Sequence, residues 1–283
     1  MDFCCDVSVE LNEPVEGSAL AEVRHWLMIE VSTQWAPKTL DAPALSALNR
    51  DHIQSALAQL PGSRLQLIRR PEARQGIVVK AATVGGRVFA VQLPSLEALN
   101  TVDILGLFAG NGEEVHGSVV LVCTHGIRDA CCAREGAPVF QALQKTGTEH
   151  LWQTTHLGGH RFAATLVVLP AGLQFGRVTP TEVPLLISEL NAGRVYRLDR
   201  YRGCTQLPRH AQVVEAHLRR RDNLREIASV VWRGEEGGVL NFDVLGRPTR
   251  AQVQSSAHPQ ARAVSCGSDQ LKNPLVYSVS ASE

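Results

Sequence analysis

Three cysteines fall within ten residues in "CTHGIRDACC" (123–132), and two histidines follow in "HLGGH" (156–160). Thiolate and imidazole are the side chains that bind soft metals best. Cys123 and Cys132 are separated by eight residues, His156 and His160 by three. Structural zinc sites usually bring their cysteines much closer together in sequence, whereas an iron–sulfur cluster is larger and draws ligands from wider loops. Mixed histidine and cysteine ligation is known chemistry for 2Fe–2S centres. The residues alone leave three readings: such a cluster, a Cys2His2 zinc site without redox activity, or a thiol oxidoreductase using the vicinal pair Cys131-Cys132. His125, two residues from Cys123, reads as a substitute ligand, a supporting donor or a plain loop histidine. Arg128 and Arg161 flank the motifs and could offset cluster charge or form ordinary ion pairs. Cys4, Cys5, Cys204 and Cys266 are scattered and read as unremarkable thiols.

The elements that must position these residues follow from apolar runs and punctuation. "SVVLVCT" (118–124) is a continuous apolar run and predicts a buried strand ending near Cys123. "GAPVFQALQKTG" (136–147) predicts a helix with Pro138 near its start, which leaves 125–135 as a loop carrying Cys131 and Cys132. "EHLWQTTH" is a third element, ending at His156, and Gly158-Gly159 permit a tight turn beside it. "ATLVVLP" and "LQFGRV" predict two more strands, and "TPTEVPLLISELNAG" (179–193) a capped helix. The order strand–helix–strand–strand–strand–helix is that of a thioredoxin-like α/β unit. Upstream, "RHWLMIEV" (24–31), a helix over 42–60, three strands between 64 and 93 and a helix over 95–110 repeat a similar order. The expected fold is a thioredoxin-like open mixed sheet with flanking helices, in two related units over 1–114 and 115–200. A small α+β extension over 201–283 would follow and could complete one of those sheets. Strand-end loops of open α/β sheets are where sites are built.

Composition narrows the function. Lys+Arg and Asp+Glu number 28 each, which gives no global pull on nucleic acid or an anionic membrane. The basic stretches "RLQLIRRPEAR" (64–74) and "HLRRRDNLREI" (217–227) read as solvated strand ends and helix faces, with a docking patch for an acidic redox partner as the bolder reading. No stretch approaches the roughly 20 apolar residues of a membrane span, and the start, "MDFCCDVSVELNEP", lacks the features of a secretory leader. Seven cysteines without disulfide-framework spacing fit reduced thiols or metal ligands in a cytoplasmic protein. Neither a GxGxxG nor a Walker pattern occurs, so no nucleotide site is expected.

The segments "LVCTHGIRDACCAREGAPVF", "HLGGHRFAATLVVLPAGLQFGR" and "VYRLDRYRGC" together resemble the sucrase/ferredoxin-like family of thioredoxin-like ferredoxins, in its bacterial members. The likeness is specific over 115–180. It is supported by "CC…EPVEGSALAEVRHWLMIEV", "LIRRP" and the late "VSCG". The resemblance implies a 2Fe–2S cluster held by Cys123, Cys132, His156 and His160. Many bacterial relatives have Asp where this chain has His160, and Asn where it has Thr165. The "sucrase" of the family name finds no support here. A glycosidase needs a placed pair of carboxylates, and Glu113-Glu114 and Glu235-Glu236 sit in turn-like contexts. The expected function is one-electron transfer or redox sensing with an unspecified redox partner protein, by an electron carrier rather than an enzyme.

Overall fold

The computed structural model describes residues 3–71 and 75–282; the end of the first basic stretch, 72–74, lies outside them. A short helix, α1 (Cys4–Glu10), opens the chain. The first α/β unit comprises β1 (His25–Glu30), α2 (Ala47–Leu57), β2 (Ser63–Arg69), β3 (Ile77–Thr83), β4 (Val88–Leu93), α3 (Ile104–Ala109) and the two-residue β5 (Glu113–Glu114). The second comprises β6 (Val119–Cys123), α4 (Ala130–Lys145), β7 (Leu151–Thr154), β8 (Leu166–Leu169), β9 (Leu173–Phe175), α5 (Val183–Asn191) and β10 (Tyr201–Cys204).

All ten strands form one sheet in the order β10-β9-β8-β6-β7-β2-β1-β3-β4-β5. β1 runs parallel to β2, and β6 parallel to β7. The other neighbours in each unit, β1·β3, β3·β4, β4·β5, β6·β8, β8·β9 and β9·β10, are antiparallel. Each unit thus lays down strand, helix, parallel strand, antiparallel hairpin and helix, with its first strand central. That is the thioredoxin-like arrangement, made twice. The units meet edge to edge through the antiparallel contact of β2 with β7, which buries two edges that would otherwise invite foreign strands. The central strands read as they must for a sheet covered on both faces: all five residues of β6 are buried, and five of the six in β1.

The remainder is α6 (Arg209–Arg221), β11 (Val230–Glu236), β12 (Val239–Val244), β13 (Arg247–Ala257), the small hairpin of β14 (Arg262–Ala263) and β15 (Leu271–Lys272), and β16 (Leu275–Ser282). β11, β12, β13 and β16 build a second, antiparallel sheet. α6 lies between the two sheets, with Ala211, Val214 and Leu218 in one core with Trp26 and Met28 on one side and Phe242 and Val244 on the other. Among the described residues no helix is long and apolar enough to cross a membrane.

The basic stretches are not simply solvated. Arg64 donates to the His156 carbonyl at 2.8 Å. Arg69 stacks over Trp35 at 4.2 Å, and Arg70 over Trp152 at 4.4 Å. Arg219 is buried beside Glu215 at 3.0 Å and donates to the Glu226 and Ile227 carbonyls. Alternation in a strand and the inner face of a helix place these guanidinium groups inward, where each finds an aromatic ring, a carboxylate or a carbonyl. Two further departures concern helices. The 95–110 segment is a 3-10 turn over Leu96–Thr101 followed by α3, which restarts at the side-chain cap of Asp103. α4 starts at Ala130, not 136, because the Asp129 carboxylate accepts from the Cys131 N–H and caps it there.

The ends of the chain are tied by a buried ion pair. Glu13, just after α1, accepts from Arg262 of β14 at 2.7 Å and from Arg161 at 2.6 Å. Burial raises the Glu13 carboxyl pKa, but Arg262 and Arg161 outweigh it and hold it below the usual value. A depressed carboxylate contributes stability above its unfolded-state pKa and loses it as pH falls. Acidification below about pH 4.3, the ordinary glutamate value, should therefore release the 258–275 segment before the main sheet. Hydrogen exchange as a function of pH should show this early loss, and Glu13→Gln should show it already at neutral pH.

Candidate metal centre

Cys123 ends β6, and its side chain is almost wholly buried, as is that of Cys132 in the first turn of α4. His156 follows β7, the parallel neighbour of β6. The three donor atoms lie within 4.8 Å of one another, with the Cys132 sulfur 3.5 Å from His156 Nδ1. The sulfurs of Cys123 and Cys132 face each other within that distance. The neighbouring Cys132 and His156 pull the Cys123 thiol pKa down against the cost of burial, while Cys123 and burial push that of Cys132 up. Two thiols at one buried point release their protons when they take up a cation.

The close approach depends on Gly136. A Cβ there would sit 2.0 Å from the Cys123 carbonyl oxygen, so only glycine lets α4 lie against the end of β6. The histidine loop has a similar constraint. Gly158 and Gly159 both take positive φ, and a Cβ on Gly159 would strike the Arg202 guanidinium at 2.2 Å. His125 is buried, and its Nδ1 accepts from the His156 backbone N–H at 3.1 Å. It therefore fixes the His156 backbone rather than standing as a fourth donor.

His160 sits apart from that trio. Its ring centroid is 5.6 Å from that of His156, but its Nδ1 faces Asp129 at 3.0 Å and Cys4 Sγ at 3.1 Å. Burial lowers its pKa, with Asp129 opposing. The structure thus brings Cys123, Cys132 and His156 together and puts His160 alongside. Of the flanking arginines, Arg161 pairs with Glu13, and Arg128 is exposed.

The cations that do surround the sulfurs were hidden in strands. Arg202 of β10 is fully buried and donates to the Gly158 carbonyl at 3.0 Å, to Ser18 Oγ at 3.0 Å and to the Ser18 carbonyl. Burial and the neighbouring Arg161 and Arg209 lower it to about 9, while Cys123 and Cys132 oppose that shift. Arg64 is lowered by burial and raised by Cys123. Among the described residues neither has a carboxylate ion-pair partner. For Arg202 the one sequence signal was an arginine in a strand with no other charge, between Tyr201 and Gly203.

The family model described as sucrase/ferredoxin-like matches residues 17–203. Altered inheritance of mitochondria protein 32 of Meyerozyma guilliermondii is 31% identical over 102 residues, 32% of this chain and 36% of that protein. The chain thus spans about a third of the length of that curated relative. Among solved structures, a cysteine-to-serine variant of the thioredoxin-like [2Fe-2S] ferredoxin from Aquifex aeolicus is 21% identical with a TM-score of 0.27, covering 30% of this chain and 97% of that one. Its wild type is 23% identical with a TM-score of 0.25, covering 28% and 90%. The strand order described above, not these scores, carries the fold.

Replacing Gly136 by Ala should cost roughly 1–3 kcal/mol through overpacking and should reduce metal retention, since α4 must back away from Cys123. Urea unfolding and metal content of G136A would read both effects. The match over 17–203 makes this chain a member of the sucrase/ferredoxin-like family.

Proposed function

We propose that the protein is an electron carrier or redox sensor that holds a 2Fe–2S cluster through Cys123, Cys132, His156 and His160. The observation that supports it is the convergence of two buried sulfurs and an imidazole at one end of a thioredoxin-like unit, in a chain of this family. The donor set suits the group: soft thiolates, imidazoles, and two arginines, Arg202 buried and Arg64 half-buried, to offset negative charge. When bound, such a cluster supplies reversible one-electron transfer. The chain's own residues do the rest. Cys123 and Cys132 are the buried donors, and His156 and His160 are half-buried, so the histidines are the more exposed of the four. His125 fixes the His156 backbone, and Arg202 fixes the Gly158 turn. His160 joins this set by turning away from Asp129. The redox partner would approach from the histidine side.

One observation favours a second reading. The Cys132 sulfur and His156 Nδ1 are 3.5 Å apart, a separation that suits a single tetrahedral zinc as well.

Iron and acid-labile sulfide analysis after anaerobic purification separates the two. The cluster reading expects a brown protein with equal iron and sulfide; a colourless protein containing only zinc refutes it. Cys123→Ser, Cys132→Ser and His156→Ala should each lose most of the iron, whereas Cys131→Ser should keep it. Loss with Cys131→Ser and survival with Cys132→Ser would put the ligand register off by one. Neutral imidazole leaves the cluster less negative than thiolate would, so His156→Cys, if it retains a cluster, should lower the reduction potential measured by spectroelectrochemistry.

A further inference from the structure

Outside the centre just described, the structure gathers a second set of sulfurs. Cys4 of α1, Cys131 of α4 and Cys266, between β14 and β15, form a triangle. Its edges are 3.5 Å (Cys4–Cys131), 3.3 Å (Cys131–Cys266) and 3.5 Å (Cys4–Cys266). All three are free thiols. They come from positions up to 262 residues apart. The Asp129 carboxylate completes the group: all four donor atoms lie within 4.8 Å of one another.

We propose that Cys4, Cys131, Cys266 and Asp129 form a second, mononuclear site for a soft divalent cation of the zinc class. The geometry suits one ion. A regular tetrahedron with zinc–sulfur bonds of about 2.3 Å separates its sulfurs by about 3.8 Å, slightly more than the edges found here. A cluster would need iron and sulfide between the thiolates and so a wider triangle. The surroundings suit thiolates. Cys131 lies in the first turn of the sixteen-residue α4, where the helix dipole favours negative charge. The Cys4 N–H points at the Cys266 sulfur at 3.4 Å. Asp129 is oriented by the N–H groups of Cys131 at 3.0 Å and Cys266 at 3.1 Å. Cys5 is excluded, since its sulfur takes a hydrogen bond from Arg134 at 3.0 Å. A cleft lined by Cys4, Val7, Ser265 and Gly267 gives an ion a way in.

The site has a structural consequence. The core where α1, α4 and the β14–β15 segment meet consists of Cys4, Cys5, Cys131 and Ala163, with Phe3 and Cys266 against it. So few apolar groups give the two chain ends little hydrophobic hold. A bound cation would staple both to the start of α4, the helix that also carries Cys132. Binding displaces the thiol protons to solvent.

Cobalt(II) is the probe, added to the full-length Cys123→Ser/Cys132→Ser protein so that the first centre is dismantled. One cobalt per chain with the intense d–d bands of tetrahedral thiolate coordination is expected. These bands should vanish when Cys131→Ser or Cys266→Ser is added and survive Cys5→Ser. Should the double variant not fold, wild-type protein gives the same answer by alkylation. Half-buried Cys266 should be shielded from iodoacetamide by added zinc and exposed again by a chelator. Absent tetrahedral bands, or a Cys4–Cys266 disulfide in place of bound metal, would each overturn the proposal. The cobalt and alkylation outcomes do not depend on what Cys123 and Cys132 hold, which is read separately as iron and sulfide.

Discussion

The Asp129 carboxylate sets where α4 begins, and much of the metal-binding region follows from that. By accepting from the Cys131 N–H it starts the helix at Ala130. Successive residues of a helix point about 100° apart, so the vicinal cysteines diverge. Cys132 turns to Cys123 and His156, and Cys131 turns to Cys4 and Cys266. Had the helix begun at Gly136, both thiols would lie on a loop with no fixed direction. The same carboxylate meets His160 Nδ1 and the Cys266 N–H, so the two sulfur groups share a common support.

Around that support the fold supplies rigidity rather than reactivity. The central apolar strands β6 and β1 hold the sheet, and the β2–β7 seam joins two units of the same strand order into one surface. Glycine 136 allows the helix to close on the strand end, and the two positive-φ glycines turn the histidine loop back over Arg202. Buried arginines usually demand carboxylates. Arg64 and Arg202 instead hydrogen-bond carbonyls and hydroxyls next to the sulfurs, so their charge remains available to stabilise thiolate, with or without metal.

What the sequence disclosed has a physical pattern. Uninterrupted apolar runs such as "VVLVC" and "LVVL" announced central strands, and the repeated element order announced two related units. Cys123 and His156 were legible because each sits at or just beyond a strand end, whereas Cys132 and His160 entered through the family resemblance. The first turn of α4 was not legible, because Gly136 and Pro138 imitate a helix start and outweighed the Asp129 cap. α1 was too short to show a period. Cys4, Cys5 and Cys266 looked unremarkable since their meeting is set by long-range packing, with Glu13 and Arg262 drawing the chain ends together. Arg64 and Arg202 were read, if at all, as surface charge, although Arg202 sits in a fully buried strand and has to find its partners inside.

The central claim is mixed ligation of one 2Fe–2S cluster by sulfur and nitrogen. Pulsed electron paramagnetic resonance of the reduced protein, labelled with nitrogen-15 at histidine, tests it most directly. The account predicts hyperfine couplings from two imidazole nitrogens, one removed by substitution of His156 and the other by substitution of His160. A reduced protein with no paramagnetic cluster, or with a cluster that shows no histidine coupling, would contradict it.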